Sequence, residues 1–110
     1  MPNERNSRDG AAKLELMEME LLDEACECLR VMAHPLRLRI VEILMQEELP
    51  VHCIAELCNL PANQASEHLR LMAGRGLLDS HRRGHSVYYR INNPRLPSLI
   101  NCIRSTCNKG

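Results

Sequence analysis

Residues Ala55 to Leu71, AELCNLPANQASEHLRL, constrain the fold most tightly. A short amphipathic segment (AELC), a break (NLP) and a second segment opening at Ala62 predict two helices joined by a tight turn. Leu60 just before the second segment, with Ala65, Leu69 and Met72 within it three to four residues apart, predicts a buried anchoring stripe. The opposite face carries the polar groups Asn63, Gln64, Ser66 and His68, side chains able to read a nucleic-acid groove. A basic stretch follows at once, LLDSHRRGHSVYYRI, with a turn expected at Arg83-Gly84-His85. A helix-turn-helix followed by a basic hairpin is the winged form of this module and points to DNA.

At 110 residues the chain fits one domain, near the size at which a second subunit helps complete a core. Its aromatic residues are Tyr88 and Tyr89, with no Phe or Trp, so Leu, Ile, Val, Met and Cys must fill the interior, as suits packed helices. The expected class is mainly α (α+β): a winged helix-turn-helix with a two-stranded β-hairpin wing and N- and C-terminal dimerisation helices. No apolar run approaches the roughly 20 residues that span a bilayer. The start, MPNERNSRDG, lacks an apolar signal core. A cytoplasmic protein is expected, with its six cysteines as reduced thiols.

The formal net charge is zero, but the charges are segregated. Residues 1–56 hold six basic and twelve acidic residues; residues 57–110 hold eight basic and two acidic. Twelve of the fourteen basic residues are Arg, the side chain suited to bidentate contact with phosphate or guanine. One face is therefore expected to meet nucleic acid and the other something else.

Residues 1–12 read as a disordered arm, and 13–110 as the winged helix-turn-helix domain. Within it, terminal helices are expected at about 13–33 and 94–107, the helix-turn-helix at about 50–73 and the wing at about 77–91. In the first helix Leu14, Met17, Leu21, Ala25, Cys28 and Met32 form one apolar stripe, and Met19, Leu22, Cys26 and Leu29 a second. A helix apolar over so much of its girth needs more than one covering surface. In the last helix Leu96, Ile100, Ile103 and Cys107 are in phase. Pairing of the terminal helices across a two-fold axis predicts a homodimer. Between them, Pro35 opens LRLRIVEILMQ, with Leu36, Ile40, Ile43 and Leu44 inward, and Gln46 to Pro50 reads as a loop. Met17, Met19, Met32, Met45 and Met72 fall at core spacing.

MAHPLRLRIVEIL, SEHLRLM and GLLDSHRRGHSVYYRI occur in an order that resembles the ArsR/SmtB family of winged-helix repressors, from about Leu29 to Ile91. The resemblance implies a homodimer that represses an operon by binding double-stranded operator DNA, released by a metal ion, metalloid or thiol-reactive effector. It places Asn63, Gln64, Ser66 and His68 in the major groove, Arg70 on phosphate, and Arg82, Arg83 and His85 on phosphate or the minor groove. Glu67 departs from the family, since a carboxylate there repels phosphate unless it meets a cytosine N4 or solvent. His68 has a second reading, as a histidine that satisfies a neighbouring group beside the core.

The cysteines form three pairs, Cys26/Cys28, Cys53/Cys58 and Cys102/Cys107. Clustered thiols suit soft ions such as As(III), Cd(II), Zn(II) or Cu(I). On a helix, however, the Cys-x-Cys pair is separated by about 200° and each Cys-x4-Cys pair by about 140°, so any chelate must form between helices or across a dimer. The family's Cys-Val-Cys box is replaced by Pro50 and His52 in LPVHC, and its carboxylate/His zinc site is absent from the last helix. Cys102 and Cys107, with Cys26 and Cys28, remain as candidate ligands, although Cys28 and Cys107 also suit core packing. A redox or persulfide switch is an alternative, but Glu42 occupies the position of a sulfur-sensing cysteine in the second helix. A winged module that binds proteins instead of an operator is a rival of another class, supported by Glu67 and the neutral net charge. No catalytic motif points to an enzyme.

Overall fold

The computed structural model describes residues 13–107, so the arm expected at 1–12 lies outside the described residues. Among the described residues, five helices and three strands follow in the order α1 (Met19–Met32), α2 (Pro35–Leu44), β1 (Leu49–Pro50), α3 (Val51–Cys58), α4 (Ala62–Gly74), β2 (Leu78–Arg83), β3 (Ser86–Ile91) and α5 (Arg95–Cys107). The strands form one antiparallel sheet in the order β1-β3-β2.

Local chemistry sets the boundaries. His34 caps α2, its Nδ1 accepting the Leu36 N–H at 3.1 Å, and Pro35 takes the first helical position, where no N–H is needed. Asn59 ends α3 in the left-handed region (φ 57°, ψ 49°). There the Leu60 N–H reaches back to the Ala55 carbonyl at 2.9 Å and the Asn59 N–H to Glu56 at 3.1 Å, the paired bonds of a Schellman motif. Pro61 then starts α4 from an extended conformation. The hairpin turns over Gly84-His85 between the paired Arg83 and Ser86, with Gly84 at φ +61°, an angle that favours glycine.

The core draws Val31 and Met32 from α1, Ile40, Val41 and Leu44 from α2, and Ile54 from α3. Leu69 and Met72 of α4, Leu77, Leu78, Tyr89, and Leu96 and Ile100 of α5 complete it. No polar or charged side chain is fully buried among the described residues.

The structure corrects three expectations. Leu49 and Pro50, read as loop, pair with Tyr89 and Tyr88, so the expected two-stranded wing gains a short third strand at its base. Helix α1 begins at Met19, with Glu18 extended (ψ 147°), six residues later than the apolar periodicity predicts. Met17 and Met19, assigned to a core by spacing, are 62% and 69% exposed: Met17 precedes the helix, and α1 fully buries only Val31 and Met32. Periodicity detected an apolar surface that the core does not cover among the described residues.

Candidate nucleic-acid interface

The α4 helix is held by one face. Ala65, Leu69 and Met72 are buried, which turns Asn63, Gln64, Glu67 and Arg70 outward. Asn63, Glu67 and Arg70 follow a four-then-three spacing and share a stripe, so an exposed carboxylate stands between an amide and a guanidinium. Ser66 is half-buried at the edge of that surface.

His68 is placed differently. It is half-buried, and its Nδ1 accepts the Arg37 Nε–H at 3.2 Å. Its ring meets His34 edge-on at 4.8 Å. Burial, then the charges of Arg37 and His34, hold its pKa below the ordinary value, with Glu67 opposing. Only Nε2 is left for an outside partner.

The strand register divides the wing. Ser80 pairs with Tyr89, Arg82 with Val87 and Leu78 with Ile91, so Arg82 shares the core-side face. His81, Arg83, Ser86 and Tyr88 share the other face. On that face the Arg83 guanidinium lies 4.4 Å over the Tyr88 ring and donates Nη2 to Glu48 at 3.1 Å and Nε to His81 Nε2 at 3.2 Å. His81 also stacks on Tyr88 at 5.9 Å. Its Nδ1 is the only buried side-chain nitrogen or oxygen without a partner among the described residues. The two arginines, read alike in the sequence as phosphate or minor-groove contacts, therefore differ: Arg82 is exposed without an ion pair among the described residues, and Arg83 is held on its own domain. Sequence reasoning overlooked Glu48, because only β1 brings it to the hairpin. His85 is exposed in the turn.

The candidate thiols are scattered. Cys26 and Cys102 are exposed, Cys28 is half-buried, and the Cys107 side chain lies outside the described residues. Cys28 lines an open groove of about 560 Å³ between α1 and α5, walled by Leu21, Leu29, Leu96 and Leu99. Burial pushes the Cys58 thiol up, partly offset by Arg39, and the side chain packs against the core. Among the described residues no three His, Cys, Asp or Glu side chains converge as a metal site requires.

Comparison with known proteins agrees with this architecture. Residues 32–81 match a helix-turn-helix domain family. The transcriptional repressor PagR of Bacillus anthracis is 42% identical over 80% of this chain and 86% of its own. Its crystal structure superposes with a TM-score of 0.69 at 38% identity, over 78% of this chain and 99% of that one. The cadmium resistance transcriptional regulatory protein CadC of Lactococcus lactis is 35% identical over 64% of this chain and 60% of its own. The homodimeric winged helix-turn-helix DNA-binding domain Mb0332 of Mycobacterium bovis, a possible ArsR-family regulator, gives a TM-score of 0.72 at 25% identity, over 87% of this chain and 92% of that one. With the winged fold and the level of identity to PagR, the chain belongs to the ArsR/SmtB family of winged-helix regulators.

Proposed function

We propose that this protein is a transcriptional repressor that binds operator DNA as a homodimer. The observation that carries the reading is the outward polar face of α4, Asn63, Gln64 and Arg70, held over buried Ala65, Leu69 and Met72 beside the wing. Asn and Gln each present an amide able to pair bidentately with adenine, while Arg70 and Arg82 neutralise phosphate. Dimerisation is supported by the exposed apolar side chains of α1, Leu21 and Leu29, and by the α1–α5 groove beside them. PagR is a repressor and Mb0332 a homodimer, which supports both parts. Two-fold pairing sets two α4 helices on half-sites about 34–36 Å apart, or a multiple of that.

The effector on this reading is a soft thiophilic ion. One chain does not fit it, since its described donors do not converge. Thiols from two protomers are required, with Cys26 and Cys28 of α1 and Cys102 and Cys107 of α5 as the set at the proposed interface. Similarity to CadC supports a soft ion.

The test of DNA reading is anisotropy with the DNA upstream of the protein's own gene against random DNA. Gln64→Ala should cost about 1–3 kcal/mol on the operator and much less on random DNA. Equal losses on both would reduce α4 to a positioning element.

A further inference from the structure

Between α2 and α4 lies a polar cluster that the proposed base and phosphate contacts leave unexplained. Arg37, in the first turn of α2, donates Nη1 to the Val31 carbonyl in the last turn of α1 at 3.0 Å. The same guanidinium donates Nε to His68 Nδ1 on α4 at 3.2 Å. His34, the cap of α2, already spends its own Nδ1 on the Leu36 N–H and lays its ring against His68. One side chain thus joins three helices, and both imidazoles act as acceptors at Nδ1. For His68, acceptance from a guanidinium requires the neutral ring, with its proton on Nε2.

We propose that Arg37 is a positioning residue, clamping the DNA-facing helix α4 to the end of α1 through the neutral imidazole of His68. The inference rests on the DNA-binding reading above. Its mechanical sense follows from where α1 is held. Val31 and Met32 are the buried residues of α1, so this end is its anchor in the domain, while Met19, Leu21 and Leu29 face outward. A displacement of α1 at a subunit interface moves the Val31 carbonyl, and Arg37 carries that displacement to α4.

The clamp has a chemical signature. The groups facing His68 are Arg37 and His34 from the α2 side and Glu67 on its own helix. Proton uptake at Nδ1 sets an N–H against the guanidinium and opens the bond. Because the folded pKa lies below the ordinary value of 6.5, the clamp's contribution is complete above that value. It is lost as pH falls from there through the lowered folded value. A histidine that touches phosphate would behave oppositely, since its protonation adds a cation and tightens binding as pH falls.

The experiment compares wild type, His68→Asn and Arg37→Met on operator and random DNA between pH 7.5 and 5.5. Long-range ¹⁵N NMR of the full chain reports the His68 tautomer. The Asn amide oxygen can replace Nδ1 as acceptor and does not titrate, and Met keeps the length of the Arg stem without its donors. Arg37→Met should weaken operator binding at pH 7.5 by about tenfold, with much less effect on random DNA. The operator Kd of wild type divided by that of His68→Asn should rise several-fold as pH falls to 5.5. NMR should show His68 protonated at Nε2, with a pKa below that of an ordinary histidine. A pH-independent ratio, or a proton on Nδ1 at neutral pH, overturns the clamp. If wild type binds no upstream DNA at any pH, the DNA-binding reading fails, and the tautomer and titration of His68 still decide the clamp. If Arg37→Met does not fold, the His68→Asn profile and the NMR decide it.

Discussion

Asn59 holds a backbone angle that a side chain with a Cβ rarely accepts, and the geometry of the helix-turn-helix depends on it. Its φ of 57° reverses the chain after α3 and lets Leu60 and Asn59 return their N–H groups to the helix end. Asn59→Ala should therefore destabilise the fold by about 1 kcal/mol, with Asn59→Gly nearly neutral, as read from urea unfolding midpoints at constant m. Leu69 is the counterpart on the packing side, since it is fully buried beneath the outward face of α4. Leu69→Ala should cost about 2–5 kcal/mol in the same measurement, through the cavity it leaves. Thiols obey the same distinction between touching and packing. Cys58 packs against the core and its thiol is pushed up, so it is a poorer thiolate than an exposed cysteine.

At the scale of elements, the wing shows what a sequence does and does not disclose. The RRGHS turn and the alternation around it specify a hairpin, and the hairpin forms with the turn on Gly84-His85. The pairing of Leu49 and Pro50 with β3 was illegible, because a two-residue strand carries no period and Pro50 argues against a sheet interior. With β1 unread, Glu48 had no visible partner, and Arg82 and Arg83 looked equivalent. The stripe on α4 was legible because Ala65, Leu69 and Met72 repeat over about two turns, whereas the Arg37–His68 bond spans 31 positions and leaves no local pattern. The structural difference between the arginines is measurable. Arg82→Ala should lower the salt slope of DNA binding by about 1, the share of one phosphate contact. Arg83→Ala alone should do less while Glu48 holds that side chain, and Glu48→Gln should tighten binding to random DNA by freeing it. Equal slopes for the two arginine variants, with Glu48→Gln silent, would mean that the bound wing abandons the arrangement seen here.

For the whole molecule, the weakly anchored α1 sets the terms of assembly. Its exposed Leu21 and Leu29 and the groove beside them should be covered by a second copy, so Leu21→Asp with Leu29→Asp should yield monomers in sedimentation and weaken operator binding. Unfolding of wild type should depend on protein concentration, and that of the variant should not. The proposed release by an effector belongs to this scale too. To shift the dimer from mostly bound to mostly released, an ion must favour the released form by about 5.5 kcal/mol. Cys102→Ser with Cys107→Ser should abolish release by arsenite or cadmium in a gel shift, and Cys53→Ser with Cys58→Ser should leave it intact. The reverse result moves the sensor into the helix-turn-helix.

The sheet that carries the wing has two free edges, and neither invites another strand. One is β1, two residues long, with a proline that has no N–H to offer. The other is β2, whose tip bears Arg82 and Arg83. A third copy that approached edge-on would meet a missing donor on one side and like charge on the other. The sheet is therefore a poor template for growth by added strands.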